Sequence, residues 1–202
     1  MGTDGNTAIQ TFNFTGNQAD GKTGNIVVDV DGDMTGETTI VFTGLEPITA
    51  GDSTDTILNL PAGLTNNAIL RNNAANGTIE IIDNSAGGTF EDTIIPNPTN
   101  SLTINLGDQG DTLTIEDLDA AFAGVLNITG GDGADLLDIN TSIASGSIDA
   151  GAGADTLDVA GSNDNVTLTA GAADGFDLTL SAGASVVNIE TLTGASTATL
   201  AG

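Results

Sequence analysis

The 202-residue chain has no cysteine, histidine, tryptophan or tyrosine, and only two basic residues, Lys22 and Arg71. Each absence removes a class of chemistry. Without cysteine there are no disulfides and no thiol chemistry, although export stays open. Without histidine the usual general base and the commonest transition-metal ligand are missing. Two basic residues against 28 acidic ones leave a net charge of −26. That excludes nucleic acid and anionic membrane as partners, since both require a basic surface. No apolar run approaches the roughly 20 residues that span a bilayer. Met1 to Gln10 is polar, with no charged-then-apolar pattern, so no signal peptide opens the sequence. The expectation is an excised segment, or a product exported by a C-terminal signal outside these residues. Paired carboxylates could in principle serve a glycosidase, but with 28 acids chance pairs are inevitable, and no Trp or Tyr is there to stack a sugar. The chain reads as a non-enzyme.

What is present is glycine, at 28 residues, together with short apolar runs and a hydrophobic fraction of 39%. Disordered chains lack such alternating runs. One string stands out, Gly130-Gly131-Asp132-Gly133-Ala134-Asp135-Leu136-Leu137-Asp138, which reads G-G-x-G-x-D-x-L-x. A near copy runs from Ala150 to Asp158, with alanine for the first glycine. Glycine adopts the strained angles of a sharp turn at little steric cost. Its missing side chain leaves carbonyl oxygens open to a cation. The sixth-position aspartate adds charge, and calcium takes six to eight such oxygens. The leucine at position eight then points inward from the next strand.

Runs such as Asn25–Val30, Thr38–Phe42, Thr56–Leu60, Leu102–Leu106, Thr112–Ile115, Leu126–Ile128 and Thr156–Val159 are rich in Thr, Ile, Leu and Val and bounded by Gly, Asn or Asp. These are strand signals. Only Glu116 to Val125 reads as a short helix. Degenerate turns occur at Gly51–Ile57, Gly87–Ile94 and Gly107–Leu113, with sixth-position acids Asp55, Asp92 and Asp111; Asp177 is a weaker member. Asp31-Gly32-Asp33 reads as a hairpin turn or a further ion loop. A spacing near 20 residues between acids is the signature of a solenoid. The apolar residues share the register. Leu102/Ile104, Leu126/Ile128 and Leu168/Ala170 precede an acid by nine and seven residues, and Ile148 by seven; Leu113/Ile115, Leu137/Ile139 and Leu157/Val159 follow one. The expected fold is all-β: a right-handed parallel β-helix (β-solenoid) of about 20 residues per coil. A β-sandwich with Gly/Asp-rich hairpins is the alternative. Residues 1–98 read as an irregular start of the solenoid or a small β domain, and residues 99–202 as the regular solenoid, with Pro96 and Pro98 as a break.

These residues resemble a family. Gly130–Asp138 and Ala150–Asp158 are similar to repeats-in-toxin nonapeptides. The wider arrangement, with Phe42–Ile48 before Ser101–Leu118, resembles repeat units of giant bacterial surface and secreted proteins. The resemblance implies a calcium-stabilised β-solenoid within a long extracellular or cell-surface protein, a structural or adhesive segment. It carries a calcium role to Asp132, Asp135 and Asp155 with Gly131, Gly133, Gly151 and Gly153, to Asp108 and Asp111, and, in the degenerate copies, to Asp52, Asp55, Asp92 and Asp177. The pattern departs from the toxin form, because one nonapeptide per coil is separated by a third side and Gln109, Ser53 and Phe90 replace loop glycines. The expected partners are calcium ions, neighbouring repeats of a longer chain or a second copy end to end, and a surface glycan. The other reading of the solenoid faces is an ice- or glycan-binding module on outward threonines, or a self-assembling fibre subunit.

Overall fold

The computed structural model describes residues 8–18, 21–33, 35, 37–44, 47–75, 77–162, 166–170, 176–180, 183–194 and 198–201. Among them are 19 strands and no helix: β1 (Ile9–Gln18), β2 (Gly21–Asp29), β3 (Thr38–Thr43), β4 (Ile48–Thr49), β5 (Asp55–Asn59), β6 (Asn67–Asn72), β7 (Thr78–Asp83), β8 (Thr93–Pro96), β9 (Ser101–Gly107), β10 (Thr112–Ile115), β11 (Val125–Gly131), β12 (Leu136–Ile139), β13 (Gly146–Asp149), β14 (Thr156–Asp158), β15 (Val166–Ala170), β16 (Phe176–Leu180), β17 (Ser185–Ile189), β18 (Thr191–Thr193) and β19 (Ala198–Ala201). The fold is all-β, and its strands form two mixed sheets.

The first sheet is ordered β19-β15-β16-β17-β13-β11-β9-β5-β1-β2-β3 and the second β18-β14-β12-β10-β6-β7-β8-β4. Within the first, β1, β5, β9, β11, β13 and β17 are all parallel neighbours. Within the second, β6, β10, β12, β14 and β18 are parallel neighbours. The chain alternates between the two, so β9 leads to β10, β11 to β12 and β13 to β14. Both sheets run across residue 98, through β5 beside β9 and β6 beside β10.

Alternation builds the core. In β9 the burial pattern is strictly every other residue, with Leu102, Ile104 and Leu106 inward. Register then stacks like on like: Leu58, Ile104, Ile128 and Ile148 form one file. Ala68, Leu113, Leu137 and Leu157 form another, from the second sheet. Ile104, Ile128 and Ile148, and Leu113, Leu137 and Leu157, are files the sequence spacing predicts, because a period of two fixes one face of each strand; Leu58 and Ala68 extend them. They belong to one buried cluster running from Phe12 to Ile189.

Steps between register partners are 24 residues from Ser101 to Val125 and 20 from Leu126 to Gly146, near the expected period. They are 46 from Asp55 to Ser101 and 38 from Ser147 to Ser185. The long steps carry insertions. The first adds β7 and β8: β7 is antiparallel to both β6 and β8, and β8 pairs in parallel with β4. The second adds the β15–β16 hairpin, so Leu168 and Ala170 do not follow Ile148; β17 takes that place. The segment expected as a helix, Glu116 to Val125, is a loop up to residue 124, in which Asp119 accepts the Ala121 N–H at 2.8 Å, and Val125 opens β11. At the other end of the core, Phe14 packs against Phe12, Phe42 and Phe90, with ring centroids 6.4, 6.1 and 5.5 Å away.

Candidate metal centre

Each passage from the first sheet to the second is a turn, and three of these turns, 107–111, 130–135 and 150–155, lie on one another. Backbone bonds join them: Ala152 donates to the Gly131 carbonyl at 2.8 Å, and Gly133 to the Ala152 carbonyl at 2.9 Å. The stacking requires glycine. Gly131 and Gly151 have φ of 106° and 97°, and a methyl group on either would strike the backbone of Gly107 or Gly131 in the turn before. Gly133 and Gly153 meet the backbone of Gln109 and Gly133 in the same way.

The turns end on Asp111, Asp135 and Asp155, whose residues are only 1%, 2% and 0% exposed. Each immediately precedes a second-sheet strand, and those strands are in register, so the three carboxylates form a file. Asp111 N–H donates to Asp135 Oδ1 at 2.7 Å, and Asp135 N–H to Asp155 Oδ1 at 2.8 Å. The file has two ends that the acid spacing does not reveal. Asn66 precedes β6 and donates its N–H to Asp111 Oδ1 at 2.6 Å. Glu190 precedes β18 and accepts the Asp155 N–H on Oε2 at 2.7 Å.

One oxygen of each buried carboxylate is therefore held by a neighbour's amide. The other is not: Oδ2 of Asp111, Asp135 and Asp155, and Oδ1 of Asn66, are buried and accept no hydrogen bond. A methyl group on Gly130 would strike both Asp135 Oδ2 and the Ala150 carbonyl oxygen, so two acceptors converge beside one Cα. Buried acceptors are nearly always satisfied, and leaving one bare costs about 1–3 kcal/mol, more when charged. Burial raises all three carboxyls above the ordinary carboxylate range. Asp111 is pushed up to about 7, with the charge of Asp135 adding to burial and the Asn66 amide opposing it. Asp135 and Asp155 are raised by burial, helped by the charges of Asp155 and Glu190 respectively. The file calls for positive charge.

The protein's own cations stand elsewhere. Arg71 Nε pairs with Glu80 at 2.8 Å, with Glu116 3.9 Å from Nη1; Lys22 Nζ lies 3.7 Å from Asp83. No basic residue follows Arg71. A donor set of carboxylate, carboxamide and backbone oxygens, with neither His nor Cys, suits a hard cation such as calcium. The residues present fit such an ion.

Other expected ligands are placed apart. Asp108 and Asp132 are exposed on the outer part of the same turns, with Asp132 bridged to Ala152 in parallel fashion. Asp55 begins β5, at the opposite end of a first-sheet strand, where its Oδ1 accepts Asn100 Nδ2 at 2.7 Å and Ser101 Oγ at 2.5 Å. Asp92 precedes β8 and accepts the Asp83 N–H at 2.8 Å. Asp52 is exposed in the loop before β5. The side chain of Asp177 lies outside the described residues. A separate group, Asp29, Asp31 and Asp33, brings one oxygen from each carboxylate within 4.8 Å of the others. There buried Asp29 accepts the N–H groups of Asp31 and Gly32 at 3.0 and 2.7 Å, the geometry of an Asx turn leading out of β2.

Comparison of the chain with family models, curated proteins and solved structures finds no match.

Proposed function

We propose that this chain is a non-catalytic structural or adhesive segment of a large exported bacterial protein, a right-handed parallel β-solenoid held rigid by calcium between its stacked Gly-Asp turns. The observation that carries the reading is the file of three buried carboxylates, each with one oxygen that accepts nothing. Cations bound between successive turns would satisfy all three. Asp111, Asp135 and Asp155 would supply the carboxylate oxygens, and the glycine turns at 130–133 and 150–153 the carbonyls. The alternating strands with register steps of 24 and 20 residues support the solenoid, and right-handed crossovers are the rule for parallel strands.

The mechanism is linkage. Calcium binds the folded turns and not the unfolded chain, adding RT ln(1+[L]/Kd) per site. With an extracellular-type Kd of about 10⁻⁴ M and about 1 mM calcium, each site adds roughly 1.4 kcal/mol. Two or three sites then contribute about 3–4 kcal/mol, a large part of a domain's usual 5–15. The segment is thus loose where calcium is scarce and rigid outside the cell, as neighbouring repeats of a longer chain require.

The outward columns of the second sheet give less support to an ice-binding face. Thr112, Leu136, Thr156 and Thr191 share one column, and Thr114, Asp138, Asp158 and Thr193 the next. Leu136 and two carboxylates break the threonine lattice such a face needs. The test is equilibrium dialysis against calcium of the wild type and of the triple variant Asp111→Asn, Asp135→Asn, Asp155→Asn. Uptake of two or more ions by the wild type, absent in the triple variant, supports the reading. Equal uptake by both, or none by either, removes it.

A further inference from the structure

Among the described residues the two sheets end on four edge strands, β3 and β19 in the first and β4 and β18 in the second. An open edge presents unpaired backbone N–H and C=O groups to any further strand, and proteins blunt such edges with short strands, charge or proline. β4 has two residues, β18 three and β19 four. β3 has six, Thr38-Thr39-Ile40-Val41-Phe42-Thr43. Every one is β-branched or aromatic, the composition that favours a strand. None is charged or proline, in a chain of net charge −26. Ile40 and Val41 are 49% and 77% exposed, on opposite faces of the strand, and Val30, just past β2, is exposed as well. These are three of the five large hydrophobic residues exposed among the described residues.

The hydrogen-bond phase of β3 decides what can be added to it. β3 runs antiparallel to β2 with no shift of register, Ile40 opposite Ile26 and Thr43 opposite Thr23. Gly44, next in line, donates its N–H to the Lys22 carbonyl at 2.8 Å. In an antiparallel pair alternate residues exchange both bonds with the residue opposite. The even-numbered residues therefore turn their backbone groups to β2, and Thr39, Val41 and Thr43 turn theirs outward. That outward set is symmetric about Val41. A second β3 laid antiparallel, with Val41 opposite the partner's Val41, matches Thr39 with the partner's Thr43 in both directions and leaves none of these groups unmatched. Ile40 then stands opposite the partner's Phe42 on the core side of the sheet. Centring the pair on Ile40 instead sets Thr43 against the partner's Glu37 and brings a carboxylate into the seam.

We propose that β3 is an interaction edge whose partner is β3 of a second copy of this chain, paired antiparallel about a two-fold axis at Val41, so that the first sheet continues through two molecules. Charge and symmetry select this occupant. Two chains this acidic repel each other, and the uncharged edge lets them meet without setting one carboxylate against another. An isologous contact also closes on itself, whereas joining β3 to β19 of a second copy would propagate into a fibre and would match six residues with four. The inference goes beyond the calcium reading and does not depend on it.

Sedimentation of the full chain in calcium, over a concentration series, tests this. The wild type passes from one copy to two and no further. Val41→Pro removes an N–H that points away from β2, hence two bonds of the symmetric pair, and weakens association by about tenfold or more. Val41→Glu sets two carboxylates against each other across the axis and weakens it likewise. Both variants keep the circular dichroism of the wild type, because Val41 is exposed. The chain has no cysteine, so single substitutions report the register under a mild oxidant. Val41→Cys cross-links, since opposed Cα atoms of such a pair stand about 5.5 Å apart, within disulfide reach; Ile40→Cys does not. A wild type that stays a single copy throughout overturns the proposal. So does a dimer that both variants leave intact, or growth beyond two copies. Cross-linking by Ile40→Cys and not by Val41→Cys overturns the axis at Val41.

Discussion

The backbone N–H of Asp135 donates to Asp155 Oδ1 at 2.8 Å, while Oδ2 of that same Asp155 carboxylate is buried and accepts nothing. The first contact explains how one turn sets the position of the next. The second is the bare acceptor that the proposed ion would satisfy. The two functions separate on substitution. Asp135→Asn keeps an acceptor for the Asp111 amide and removes the buried charge, so in chelator it melts no lower than the wild type. With calcium it gains less stability than the wild type, by roughly the 1.4 kcal/mol of one site. Asp135→Ala also strands the Asp111 N–H, and costs about 1–3 kcal/mol even in chelator. Thermal melts of the three proteins, with and without calcium, check this.

Glycine in the turns is required by contact as well as by backbone angle. Gly131→Ala places a methyl against the Gly107 carbonyl at a φ of 106°, and is expected to lower stability by about 2 kcal/mol or more. Gly63, which has open space around it and no positive φ, is the control. Its replacement by alanine should lie within about 0.5 kcal/mol of neutral, or stabilise slightly. Urea unfolding in calcium distinguishes them.

Adjacent residues in β12 test the register. Leu137 is fully buried, and Leu136 is 39% exposed on the other face. Leu137→Ala should cost about 2–5 kcal/mol, and Leu136→Ala below about 1 kcal/mol. Equal costs would mean that β12 is shifted by one residue.

The loop at 116–124 gives an acid-labile contact independent of metal. Asp119 is held below the ordinary carboxyl value of 3.8 by the Ala121 N–H, then by the Asn97 amide, with burial opposing and the Gly77 N–H assisting. A carboxyl lowered on folding contributes stability that is present above its unfolded value and is lost as pH falls through its folded value. Asp119→Asn should therefore destabilise at pH 7, and the difference from wild type should shrink once pH drops below about 4. A difference that persists unchanged at pH 2.5 would contradict this.

The phase of each strand decides which parts of this molecule were legible in its sequence. After Asp111 the buried positions are Leu113 and Ile115; after Asp155 they are Leu157 and Val159. The acid therefore shares the inward phase. After Asp55 and Asp92 the buried residues are Thr56 and Leu58, and Thr93 and Ile95, so those acids stand in the outward phase although the lettering Asp-Thr-Ile looks the same. A one-residue shift moves every side chain to the other face, and only tertiary packing reveals that Thr56 and Thr93 point inward. Glu190 is legible by the same pattern: Glu190-Thr191-Leu192-Thr193 parallels Asp111-Thr112-Leu113-Thr114, with glutamate for aspartate. Asn66 was harder, since a carboxamide heads that copy and Ala68 stands where leucine is usual. The aliphatic files were plain because a period of two leaves little choice. The antiparallel excursions β7–β8 and β15–β16 were not, because hairpin strands and stacked strands have the same composition.

Calcium in the carboxylate file is the central proposal. The decisive measurement is circular dichroism during a calcium titration of chelated protein, with bound ions counted at saturation. A cooperative gain of β signal with two or more ions bound is the predicted result. Full β structure in chelator, with no uptake of ions, would contradict it.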